Sequence, residues 1–134
     1  MLCLAKAQTG RPLTKYSIAD AEGISSHYVG QILMTLKHAG LVRSQQGAEG
    51  GFTLARDPST ISVAEVVEAV DGPICLVPCT ELADACDRTS LCVTRAVWQE
   101  AGRALRDVLA GAILAKLAEE AKKSGANKAP AFEI

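Results

Sequence analysis

Between residues 26 and 38, Val29, Ile32, Leu33 and Leu36 fall on one face at a 3.6-residue period, while His27, Gly30, Gln31 and Met34 share the other. The pattern predicts an amphipathic helix with one packed face and one free face. Ser25 is its N-cap, and Ile24 before the cap with Val29 at the fourth helical position have the spacing of a hydrophobic staple. A shorter helix precedes it from Lys15 to Glu22, with Thr14 as N-cap and a tight turn at Gly23. An opening helix runs from Met1 to Gln8 and ends at Thr9-Gly10-Arg11-Pro12, where Gly and Pro both break helices. Helix, short glycine turn and second helix is the arrangement in which the second helix enters a DNA major groove.

After Gly40 the pattern changes. Leu41 to Gln45 and Phe52 to Arg56 read as two short strands joined by a glycine-rich hairpin tip at residues 46–51, a wing beside the helix pair. Ser62-Val63-Ala64-Glu65 is a capping box, Ile61 and Val66 form a staple, and Gly72-Pro73 ends the helix after Asp71. Residues 74–91 have no helical or strand period, and a loop of that length in a small domain is usually functional or disordered. A final helix is predicted over residues 92–122. Trp98, Ala101, Leu105, Val108 and Ala112 form one stripe on it, widened by Leu109, Ile113 and Leu117. About 30 residues make a helix of roughly 45 Å, longer than so small a domain covers alone, so a partner subunit is its natural cover. Trp98, Leu105, Leu109, Ile113 and Leu117 are the candidate dimerisation residues, with Trp98 anchoring the helix against the winged part. Residues 123–134 read as a flexible tail.

The chain of 134 residues is one domain's length, with 49% apolar and 22% charged residues, so it folds around one modest core. Only 4% are aromatic, which favours Leu, Ile, Val and Ala helices over a sandwich or barrel. The expected class is mainly α with a small β-hairpin wing: a winged helix-turn-helix over 1–73, a cysteine-rich loop over 74–91 and a dimerisation helix over 92–122. The longest apolar run near the C-terminus, Val108 to Ala115, falls short of the roughly 20 residues that cross a bilayer. The opening residues read as the middle of a helix rather than a signal peptide, which predicts a cytoplasmic address without membrane contact. Residues 1–57 carry a net +2 and residues 58–134 a net −3, a gradient that permits a polyanionic partner without demanding one.

Ser25, Ser26, His27, Tyr28 and Gln31 place donors near the start of the candidate recognition helix, where backbone amides suit phosphate and side chains reach base edges; Gln31 is suited to adenine. Lys37, Arg43 and Arg56 are candidate phosphate contacts, and Gln46 and Gly47 candidate wing-tip contacts. The bland alternative is that these are the solvated face of a short helix. Four of the five cysteines, Cys75, Cys79, Cys86 and Cys92, fall within 18 residues, which points to metal binding or redox chemistry rather than a disulfide framework. The alternatives are packed or surface thiols, or structural zinc, whose knuckles favour shorter intervals. Cys3, on an apolar helix, is read as packed. A thiol oxidoreductase is a poor fit: there is no C-x-x-C pair, and neither histidine lies in the cysteine loop.

Several segments together resemble a family of bacterial winged-helix repressors that includes IscR, NsrR and CymR. They are Gly23-Ile24-Ser25 with Tyr28 and Gln31, Leu36 to Val42, Gly50 to Arg56, Ile61 to Pro73, and Cys92 to Trp98. The resemblance spans Leu4 to about Leu117. It implies a homodimeric transcription factor whose long C-terminal helices cross and whose two winged parts meet a near-palindromic double-stranded DNA operator. In the cluster-binding branch three loop cysteines hold an iron–sulfur cluster, [2Fe–2S] or [4Fe–4S], and the matching positions here are Cys79, Cys86 and Cys92, with Cys75 as a further candidate ligand, a core residue or a thiol that pairs when the cluster is lost. The sequence departs from that branch at Arg95, where a relative has a histidine ligand. A second fourth-ligand route, an Asp in the partner's first helix, falls in a stretch that relatives carry ahead of the position of Met1. Cys79-x6-Cys86 is one residue longer than the commonest spacing, Gly30 stands where a side chain usually projects, and Gln45 and Gln46 stand where relatives often place Arg. The reading is a regulator sensing redox, nitric oxide or iron status through a labile cluster. The alternative is a winged-helix repressor without a cluster, controlled by thiol oxidation, a small molecule or a partner protein.

Overall fold

The computed structural model describes residues 1–7, 11–47 and 49–124, with only the backbone of residue 83. The expected end of the first helix at Gln8, residue 48 in the wing tip and the tail from 125 onward lie outside the described residues.

Helix α1 (Leu2–Lys6) buries Leu4 and Ala5, and α2 (Lys15–Glu22) begins where the Thr14 hydroxyl accepts the Ser17 N–H at 3.1 Å. Gly23, in the left-handed region at φ 68°, ends α2 and lets the chain turn at once into α3 (Ser26–His38). The Ser25 hydroxyl caps α3 by accepting the Tyr28 N–H at 3.2 Å. Val29, Leu33 and Leu36 are buried on one side, as their period requires.

Strands β1 (Val42–Gln45) and β2 (Gly51–Leu54) pair antiparallel, with Val42 opposite Leu54 and Gln45 opposite Gly51. β1 starts one residue later than the pattern predicts, and β2 starts one residue earlier and ends two residues sooner; just beyond the ladder the Ala55 N–H donates to the Leu41 carbonyl at 3.0 Å. The hairpin is fastened on its other edge by Leu13, which exchanges two backbone hydrogen bonds with Phe52 at 3.0 and 2.8 Å. Gly51 is required there: a Cβ would stand 2.6 Å from the Leu13 carbonyl oxygen.

Helix α4 (Val63–Asp71) carries the predicted capping box, with both the Glu65 N–H to Ser62 hydroxyl and the Ser62 N–H to Glu65 carboxylate bonds formed. The loop that follows contains two single 3₁₀ turns, Pro78–Thr80 and Ala83–Ala85.

The predicted single helix over 92–122 is two helices, α5 (Arg95–Gly111) and α6 (Leu114–Lys123). The break is a tertiary contact. The Val63 N–H donates to the Ala112 carbonyl and the Leu114 N–H to the Ile61 carbonyl, both at 2.9 Å, so Ser62 and Ile113 pair as an isolated bridge. Beyond it α6 turns back onto α1, burying Leu114 and Ala118 in the core with Leu36, Val42 and Ile61, of which Ile61 is 0% exposed. Helix α5 buries nothing. It lies along α4, where Arg106 pairs with Glu68 at 2.7 Å.

This changes the dimer stripe. Trp98, Leu105 and Leu109 share α5, but Ile113 sits in the break and Leu117 lies on α6, lining a cavity inside the winged module. Trp98 is 45% exposed and borders the cysteine-rich loop, so it does not anchor the helix against the winged module. The exposed apolar side chains of α5 are Val97, Trp98, Leu105 and Val108.

Candidate DNA-binding face and cysteine-rich loop

The outward side of α3 starts from a capped N-terminus. His27, Tyr28 and Gln31 are exposed and, among the described residues, their side chains make no hydrogen bond or ion pair. Ser25 spends its hydroxyl on the cap, and Ser26 is half-buried. Gly30 has room beside it: a Cβ there would meet only Lys15 Cδ, at 3.8 Å. That contact places the start of α2 beside the same face. Lys15 and Tyr16, with the ammonium 5.1 Å from the ring centroid, were not singled out in the sequence. The signal available was their position directly after the Thr14 cap.

The three candidate phosphate contacts are already engaged within the chain. Lys37 Nζ donates to Ser44 Oγ at 2.7 Å and so ties α3 to β1. Arg43 Nε donates to Thr53 Oγ1 at 3.0 Å across the hairpin, and Thr53 is a buried polar residue. Arg56 forms an ion pair with Glu65 at 2.6 Å, which holds the Glu65 carboxyl below the usual range, with the Ser62 N–H adding to it. At the wing tip Gln46 and Gly47 are exposed, and Gly47 has φ 117°, open to glycine without strain.

The cysteine loop is held at its two ends. Near its start the Cys75 thiol donates to the Val77 carbonyl at 2.9 Å and lies 3.4 Å from the Thr80 hydroxyl. Arg95, the first residue of α5, donates from Nε to the Cys79 carbonyl at 3.1 Å. The Cys86 carbonyl accepts from the Thr89 hydroxyl. Cys92 is exposed, and hydrogen bonds from Thr94, first from its hydroxyl and then from its backbone, lower the thiol's pKa, with Arg88 adding a smaller pull. Cys3 contrasts with it: burial, with the Glu22 carboxylate 2.7 Å away, pushes its thiol up to about 11.

Three thiols in one loop are soft donors of the kind an iron–sulfur cluster takes. Cys79, Cys86 and Cys92 are not gathered, however: among the described residues no three His, Cys, Asp or Glu side chains stand close enough to hold a metal ion. Arg95 offers no fourth donor and is committed to the Cys79 carbonyl. The donors fit a cluster in kind.

Two cavities flank these parts. One, of about 460 Å³, is apolar and opens among α1, α2, α3, α4 and α6, with Leu117 in its wall and Cys3 and Glu22 among its lining. The other, of about 220 Å³, lies between the start of the cysteine loop and α5, with Cys75, Glu81, Trp98 and Arg103 in its lining. Among the described residues no helix is long and apolar enough to cross a membrane.

Comparison with known proteins gives a consistent result. The family model described as "Rrf2: Iron-dependent Transcriptional regulator" matches residues 1–120. The chain is 33% identical over 133 residues to Protein rrf2 of Nitratidesulfovibrio vulgaris, covering 97% of this chain and 89% of that protein. Its fold superposes on CymR (YrzC), the global cysteine regulator of B. subtilis, with a TM-score of 0.72 and 31% identity over 89% of this chain and 87% of that one. The IscR of T. potens gives a TM-score of 0.73 at 29% identity, covering 92% of this chain and 80% of that one.

Proposed function

This chain belongs to the Rrf2 family of transcriptional regulators, so it is a DNA-binding regulator rather than an enzyme, and from that premise we propose that it binds a near-palindromic double-stranded operator as a homodimer, in the cytoplasm. The observation that carries the reading is the outward face of α3, where His27, Tyr28 and Gln31 stand exposed and uncommitted beside a wing fastened at Leu13. Base readout falls to Gln31, Tyr28 and His27, and phosphate contact to the Ser25 and Ser26 end of α3, Lys37, Arg43 and the wing tip at Gln46 and Gly47. Arg56 reaches a phosphate only by leaving Glu65. The dimer forms along α5 through Trp98, Leu105, Leu109 and the exposed Val97 and Val108. Selection of bound sequences from a random library, followed by anisotropy titration, tests this. A palindromic site is expected, with Gln31→Ala costing about 1–3 kcal/mol on that site, and Lys37→Ala weakening all sequences and lowering the salt slope by about 1. Absence of salt-sensitive DNA binding would sink the reading.

The sensory element is the loop over 74–94. Cys79, Cys86 and Cys92 would hold an iron–sulfur cluster, with Cys75 nearby, and a bound cluster would supply an oxidant-labile tie between loop and helix. Support comes from the soft donor set and from the family's description as iron-dependent. The chain's own residues determine what such a tie acts on: Arg95 already joins the Cys79 backbone to the first turn of α5. Iron and acid-labile sulfide in near-equal amounts, in protein purified without oxygen, are expected. A second reading, regulation by thiol oxidation without a cluster, is favoured by the exposed Cys92 with its lowered pKa. Colourless, iron-free protein whose DNA affinity falls on oxidation, and no longer does so after Cys92→Ser, would select that reading.

A further inference from the structure

The cavity between the cysteine loop and α5 carries charges that nothing above uses. Arg103 lines it, is exposed, and among the described residues has no hydrogen bond or ion pair. Glu81 lines it as well, equally without a partner, and the two do not pair with each other. Arg106, also in the lining, is held by Glu68 through two bonds of 2.7 and 3.3 Å. The remaining wall is mixed: Ile74 and Leu76 from the loop and Trp98 from α5 give it one apolar part, beside the polar Thr80 and Gln99. At about 220 Å³ the space suits a molecule of a few heavy atoms rather than a peptide segment.

Opposite, unpaired charges in one small half-open cavity are complementary to a ligand that carries both signs. A carboxylate meets the planar donor fork of Arg103, an ammonium meets the Glu81 carboxylate, and a short apolar side chain lies against Ile74, Leu76 and Trp98. A lone anion would face Glu81, and a lone cation would face Arg103 and Arg106. We propose that this cavity binds a small zwitterionic α-amino acid with an apolar side chain, and that Trp98 reports its presence to the exposed stripe of α5 on which it also lies. The binding chemistry stands apart from the cluster and operator readings. Only the consequence for DNA rests on them.

Trp98 is the chain's single tryptophan, so its emission on 295 nm excitation reads the cavity directly in the intact protein without DNA. The probes are L-leucine, leucinamide, which lacks the carboxylate, and 4-methylpentanoate, which lacks the amine. Saturable binding of L-leucine is expected, with each single-charge analogue at least about tenfold weaker. Arg103→Gln should abolish the preference for leucine over leucinamide, and Glu81→Gln the preference over 4-methylpentanoate. Both side chains are surface-exposed, so both variants should keep the fold, which far-UV circular dichroism verifies. No saturable response to any probe, equal binding of a single-charge analogue, or leucine binding unchanged in both variants would each overturn the proposal. DNA binding measured on the same samples separates this outcome from failure of the regulator reading.

Discussion

The winged module and helix α5 are adjacent parts of one chain built on opposite principles. The module draws buried residues from α1, α2, α3, β1, α4 and α6, and the starts of α2, α3 and α4 are capped by Thr14, Ser25 and Ser62. Helix α5 is the longest element, yet it buries no residue, and the Thr94 side chain at its N-cap makes no capping bond to the helix. Its apolar side chains face outward, Val108 at 70% and Val97 at 64% exposure. A helix of that kind is stable only against a cover the chain does not itself provide. Stability therefore resides in the module.

The contrast breaks most visibly at the core. Leu36→Ala should lower unfolding free energy by about 2–5 kcal/mol, whereas Val108→Ala should change the monomer's by less than about 0.5 kcal/mol and show itself only in dimer dissociation. Urea denaturation at high dilution, together with sedimentation velocity, measures both. Equal losses would mean that α5 belongs to the module's core. Gly51→Ala comes next, at about 1–3 kcal/mol, because its Cβ would meet the Leu13 carbonyl at 2.6 Å; DNA affinity should fall with it as the wing loosens.

Thiol chemistry sharpens the same division. The Cys92 thiol's pKa is lowered by its Thr94 hydrogen bonds while that of Cys3 is pushed up to about 11, so near pH 8 Cys92 holds the larger thiolate fraction and should react faster, an advantage partly offset by the lower intrinsic nucleophilicity of the more acidic thiol. Timed iodoacetamide labelling with peptide mass mapping should modify Cys92 first, and Cys3 only on unfolding. The smallest effect is at Glu65. Its carboxyl pKa is lower in the folded chain than its ordinary 4.5, so the Arg56 pair adds stability above that value and loses it as pH falls below. The difference in melting temperature between the parent and Arg56→Gln should be present at pH 7 and be lost as the pH falls through the lowered carboxyl pKa, below 4.5.

Much of the module was legible because its signals are local. Thr14, Ser25 and the Ser62/Glu65 box act within three residues of themselves, and their helices start where the pattern places them. The division at Ala112 and Ile113 was not legible, since the period runs through Gly111-Ala112-Ile113 and a lone glycine within a helical period is tolerated at a cost of about 1 kcal/mol. The chain is opened there by backbone groups of Ile61 and Val63, about 50 residues away. The Leu13 fastening of the wing is hidden for the same reason. At the candidate site, the free face of α3 followed from its period, but that Arg43 and Arg56 hold Thr53 and Glu65 depends on tertiary contacts. The presence of Glu81 and Arg103 in the lining of one cavity brings together a residue from a loop without period and one from a helix whose polar face had no assigned role.

The bridge between Ser62 and Ile113 also has a mechanical consequence. Two backbone bonds pin the end of α5 to the start of α4, and from that fulcrum 17 helical residues extend about 25 Å as a rigid arm. A tilt of about 10° at the pin swings the far tip by about 4 Å, and the far tip is where Arg95 grips the cysteine loop. Read in the other direction, a shift of a few ångströms at the loop becomes a small, geared rotation delivered beside the Ser62 cap, one helix away from α3.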